Sequence, residues 1–107
     1  MGDLQIMAFK AKPGKRARLE ELARYNVPML RRSGYVTSRP ANMLWTENDT
    51  LIAVFEWVEG GKERAKAHPD VRALAMDLSE VGIRVPLNTL PKDRVEHAIG
   101  TEASFVS

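Results

Sequence analysis

A chain of 107 residues, 44% of them hydrophobic and 28% charged, has the make-up of a globular protein and not of a disordered, collagenous or membrane-spanning one. At this length folding buries roughly 60 to 70% of the unfolded surface around a single core, so residues 1–107 are read as one domain, with a core over about 3–90 and an extension over about 91–107. The net charge is only +2, and the absence of cysteine excludes disulfides, thiolate metal ligands and a thiol nucleophile.

Leu4 to Lys12 reads as a first strand, with Leu4, Ile6 and Ala8 on one face and Met7, Phe9 and Ala11 on the other. Both faces are apolar. Pro13-Gly14 breaks it, and Leu19, Leu22, Ala23 and Leu30 then recur near helical spacing. Pro28 falls inside this helix and predicts a kink or a fresh turn capped by Asn26, with Gly34 as the C-terminal cap. Tyr35 to Thr46 reads as a second strand interrupted near Pro40. After a polar turn at Glu47-Asn48-Asp49-Thr50, the run Leu51 to Trp57 is the clearest strand in the chain and is placed centrally. Gly60-Gly61 ends it. A second helix starts there, is interrupted at His68-Pro69, and continues with Val71, Leu74, Ala75 and Leu78 as its core stripe up to a cap at Gly82. Ile83 to Leu87 reads as a short fourth strand, and from Asn88 onward the weaker pattern suggests a turn plus an arm.

This order predicts an α+β, ferredoxin-like split βαβ fold (βαββαβ): a four-stranded antiparallel sheet with two helices on one face. The other face would be bare, yet the first and third strands are apolar on both sides. An open face of that kind exceeds what a soluble monomer normally exposes, so the chain is expected to pair with itself, sheet to sheet, about a two-fold axis. The rival is a C-terminal segment folded under the sheet. No apolar run reaches the roughly 18 residues of a transmembrane helix. The start, Met1-Gly2-Asp3-Leu4, carries an acid where a signal peptide carries bases, so a cytoplasmic protein with no membrane partner is expected.

Two residues stand out as candidates for proton chemistry. Strand alternation puts Glu56 with Ile52 and Val54 on an apolar face, a setting that suits a general acid or base, although its plainer role is to pair with a nearby Arg or Lys in the dimer interface. His68 lies close in sequence to that strand end, so an imidazole and a carboxylate could face one cavity; its plain role is to cap the next helical turn. Met7, Phe9, Tyr25, Tyr35, Met43, Trp45 and Trp57 could line a pocket for a flat apolar ligand or simply fill the core. His68 and His97 are far apart and no metal-ligand spacing occurs, so neither a metal nor another cofactor is expected. The bases Lys10, Lys12, Lys15, Arg16 and Arg18 are offset by Glu20 and Glu21 and lack interleaved aromatics, which argues against nucleic acid as a partner.

The element order, Val54-Phe55-Glu56-Trp57, the Ala67-His68-Pro69 break and the apolar second helix resemble the antibiotic biosynthesis monooxygenase-like superfamily of dimeric α/β barrels, over about residues 3–90. More closely, Val27-Pro28-Met29-Leu30-Arg31-Arg32, the run Gly34-Tyr35-Val36-Thr37 and Val85-Pro86-Leu87 look like uncharacterised bacterial members of that group. The resemblance implies a homodimer with a cavity in each subunit between sheet and helices. The implied activity is cofactor-free oxygenation or isomerisation of a hydrophobic or aromatic compound, the alternative being a non-catalytic binding or structural dimer. It also brings Asn42, beside Trp45 and Arg39, into the candidate pocket as residue types that the cofactor-free oxygenases use. The haem-degrading branch fits poorly, since the first strand offers Gln5 and Met7 in place of Asn and Ala75-Met76-Asp77 holds no His.

Overall fold

The computed structural model describes residues 2–86 and the strand Val95–Thr101. In chain order its elements are β1 (Asp3–Ala11), α1 (Arg16–Arg32), β2 (Asn42–Thr46), β3 (Thr50–Trp57), α2 (Gly61–Ala65), α3 (Pro69–Val81), β4 (Gly82–Arg84) and β5 (Val95–Thr101). The strands form one antiparallel sheet in the order β4-β1-β3-β2-β5. Its first four members have the order of a ferredoxin-like split βαβ unit.

The fifth strand corrects the four-stranded expectation. β5 lies in the stretch read as a turn and an arm, and it pairs along β2 with register irregularities at Met43/Leu44 and Trp45/Thr46. Such irregularities break the two-residue alternation by which a strand announces itself in a sequence. The expected second strand is divided as well. Val36 makes an isolated bridge to Trp57, the chain leaves the ladder around Pro40, and regular pairing resumes with Asn42 opposite Val54. Proline has no N–H to give to a ladder. The Arg31 guanidinium ties this excursion down, donating to the carbonyls of Thr37 at 2.8 Å and Arg39 at 3.0 Å.

α1 runs unbroken through Pro28, so Asn26 lies inside the helix and caps no new turn. Pro28 removes one backbone bond; the burial of Val27, Met29 and Leu30 around it, worth about 1.5–3 kcal/mol for each large side chain, keeps the helix intact. The helix ends as a Schellman cap: Tyr35 N donates to Leu30 O, Gly34 N donates to Arg31 O, and Gly34 sits at φ 81°. Gly61 is needed for a different reason. The carbonyl of Tyr35, which accepts from Val58 N at 2.9 Å, lies where a Cβ on residue 61 would stand. β4 is shorter than expected at its C-terminal end within the described residues, with Val85 N still donating to Ala8 O; Leu87 lies outside them.

Strand parity and register divide the sheet into two faces. Opposite residues share a face, so Gln5 with Phe55, Met7 with Ala53, Phe9 with Leu51 and Trp45 with Leu51 point toward the helices. The core lies there, with Trp45, Phe55, Leu19 and Leu30 almost completely enclosed. Leu4 with Glu56, Ile6 with Val54, Ala8 with Ile52, Leu44 with Ile52 and Ile83 with Lys10 point the other way, to a face that carries none of the described helices. No described helix is long and apolar enough to cross a membrane.

Candidate functional site

A cavity of about 160 Å³ lies between the sheet and the helices. β1 supplies Gln5 and Met7 and β3 supplies Phe55 and Trp57, two positions apart on each strand as one face demands. Asn26 and Leu30 of α1 stand one helical turn apart, as do Lys62 of α2 and Lys66 at its C-terminal cap, with Ala65 between them; Val71, Ala75 and Leu78 share one face of α3, and Arg84 of β4 completes the lining. Each element therefore turns a single stripe inward. Phe55 and Trp57 meet edge to face with ring centroids 5.2 Å apart, and the Trp57 Nε1–H donates to Gln5 Oε1 at 3.0 Å. That bond fixes the indole and occupies one of the two lone pairs of Gln5 Oε1. A void of about 10 Å³, bounded by Met7, Phe9, Ala23, Asn26, Leu51, Ala53 and Leu78, adjoins these walls.

The candidates from sequence distribute unevenly around this cavity. Met7 and Trp57 line it, and Phe9 borders the small void beside it. Trp45 is buried against α1, with its Nε1–H donating to Glu20 Oε1 at 2.7 Å and the Arg16 guanidinium 4.3 Å above its ring. Met43 is core. Tyr25 is half exposed beneath Arg32. Tyr35 packs edge-on to His68 at 5.9 Å. Asn42 is exposed on β2, opposite Val54 and so on the helix-free face.

Glu56 also belongs to the helix-free face. Its carboxylate accepts from Thr37 Oγ1 at 3.0 Å and pairs with Arg39 at 3.4 Å. His68 is the N-cap of α3, its Nδ1 accepting from Asp70 N at 3.1 Å. Neither borders the cavity, and the sheet stands between the Glu56 carboxylate and the cavity walls. The basic stretch is largely engaged within the chain: Lys12 Nζ donates to Ser79 O, Arg16 pairs with Asp49, and Arg18 pairs with Glu21.

The polar lining residues that sequence reading did not name for the pocket are Gln5, Asn26, Lys62, Lys66 and Arg84, Asn26 being read only as a cap. Their signal is faint but present. Lys62 and Lys66 flank Ala65 at helical spacing, and Arg84 follows Gly82 at the parity that returns it to the Phe9 side. Comparison of the chain with models of known families, with curated proteins and with solved structures gives no significant match.

Proposed function

We propose that this chain is a small-molecule-binding protein that works as a homodimer, joined sheet to sheet as a dimeric α/β barrel, and that holds its ligand in the cavity between the sheet and the helices of each subunit. The observation that carries the reading is the cavity itself. It is walled by Met7, Leu30, Phe55, Trp57, Val71 and Leu78, with polar groups confined to a few positions, which is the usual build of a ligand site. At about 160 Å³ it has room for one aromatic ring, since a dry cavity of roughly 150 Å³ accepts benzene.

Self-association is supported by the face that no described helix covers. Of the five large apolar side chains most exposed among the described residues, three, Leu4, Ile6 and Ile83, stand on it, beside the half-buried Leu44, Ile52, Val54 and Val85, while Tyr25 and Met76 lie on α1 and α3. A contiguous patch of this kind marks a contact surface. Because the cavity opens on the other side of the sheet, pairing leaves it accessible. Cofactor-free oxygenation or isomerisation, the chemistry that the family resemblance implies, is the turnover to assay on whatever ring binds. With Glu56 and His68 outside the lining, binding is the activity the geometry supports best.

The test is a titration with toluene followed through the indole N–H resonances. The Trp57 signal should move while that of Trp45 stays, and Ala75→Trp, which places a ring at an exposed wall position, should abolish the response. An unmoved Trp57 signal, or an equal response in Ala75→Trp, refutes the reading.

A further inference from the structure

Resting on that reading, we propose that the ligand is a small aromatic carboxylate, its ring inward among Met7, Phe55 and Trp57 and its carboxylate outward toward Lys62 and Arg84. Among the described residues the lining contains three bases, Lys62, Lys66 and Arg84, and no acid. They come from two separate elements, α2 and β4, so one cationic helix face does not explain their meeting. Lys66 has Glu63 at 3.6 Å, in a pair exposed on both sides. Lys62 and Arg84 have no side-chain partner among the described residues. Arg16, Arg18, Arg24 and Arg39 each stand against a carboxylate, while Lys10, Lys15 and Arg72 also lack a side-chain partner among the described residues, so what sets Lys62 and Arg84 apart is their shared place on the cavity.

Asn26 adds a polar group to the same lining. It is half-buried in the middle of α1, where Asn is a poor helix former, and its side-chain amide has no hydrogen-bond partner among the described residues although it borders both the cavity and the small void. Its polar atoms are open to solvent at the cavity edge, where a polar group on the ring or the carboxylate would give the amide a partner. The size agrees, because the cavity holds one ring and leaves a charged substituent at its edge. The position of the bases agrees too. Lys62, Lys66 and Arg84 are exposed, so a carboxylate beside them keeps part of its water, and the Arg84 fork matches its two oxygens.

Benzoate and benzamide share a shape and differ by one charge, which makes them the probes. Titrated into the full chain at low salt and followed through the Trp57 indole N–H, benzoate should bind about tenfold more tightly, with the difference shrinking as ionic strength rises. The double variant Lys62→Met/Arg84→Met should bring benzoate down to the level of benzamide. The single variants Lys62→Gln and Arg84→Gln should each lose several-fold, and Lys15→Gln, away from the cavity, should lose nothing. Equal affinity for the two probes, or a preference for benzoate that survives in the double variant, overturns the carboxylate proposal while the cavity reading stands. If neither probe moves the Trp57 signal, both fall.

Discussion

Leu4→Lys separates the contribution of one side chain to the single subunit from its contribution to the pair. Leu4 keeps 60% of its surface exposed on the helix-free face, on strand β1 next to the centre of the sheet. Full burial of a leucine is worth about 1.5–3 kcal/mol, so covering the remainder in a sheet-to-sheet contact contributes about 1–2 kcal/mol in each copy. A two-fold axis repeats the loss, and the substitution should weaken the dimer by about 2–4 kcal/mol, or about 30- to 1,000-fold. Burying two ammonium groups in apolar contact can only add to this. Within one subunit the change is mild, because residue 4 stands opposite Glu56 and a lysine there forms a cross-strand pair of opposite charge. Light-scattering mass across a dilution series is the assay. The wild-type chain should hold near twice 12.0 kDa at concentrations where Leu4→Lys has fallen to the single mass, with the circular dichroism of both unchanged. A wild-type chain that is monomeric throughout, or a Leu4→Lys chain with the same mass profile as wild type, refutes the sheet-to-sheet contact.

Three further outcomes follow from the fold. Gly61→Ala sets a Cβ against the carbonyl of Tyr35 and should cost about 1–3 kcal/mol in urea denaturation, whereas Gly14→Ala meets open space and carries only the strain of its positive φ. His68→Ala removes the acceptor that caps α3 and should cost about 1 kcal/mol, seen as a lower urea midpoint at unchanged slope. Glu56→Gln should leave ligand binding unaltered, because the carboxylate faces away from the cavity, and should change stability by less than about 1 kcal/mol, because Arg39 across the pair is 65% exposed.

Local rules carried the fold a long way. The alternation in Leu4 to Lys12, the apolar run from Leu51 to Trp57, the helix break at His68-Pro69 and the glycine after Arg32 each rest on one element's own sterics and periodicity, and each corresponds to an element or boundary in the structure. What escaped was decided by contacts between elements. Pro28 reads as a kink, but α1 continues through it with Val27, Met29 and Leu30 buried around it. β5 exists as a strand because β2 has a free edge to pair with, and its irregular register erases the alternation that would have marked it.

The site illustrates the same division between local and assembled information. Nearness in sequence suggested that Glu56 and His68 could share a cavity, and strand parity decides against such a meeting. Phe55 and Trp57 point to the helices, so the residue between them points away, and no adjustment of side-chain rotamers carries a carboxylate through a sheet. Aromatic character alone ranked Tyr25, Tyr35, Trp45 and Trp57 together, yet an indole can be satisfied inside the core, as Trp45 is by Glu20, or be held at a cavity wall, as Trp57 is by Gln5. The bases at the cavity were the least visible, since Lys62, Lys66 and Arg84 read as ordinary solvated charges until α2 and β4 set them around one opening. A charge without a partner gains meaning only from what the fold places beside it. Here that is an apolar space one ring wide, and the response of the Trp57 signal to benzoate against benzamide tests the charge separately from the space.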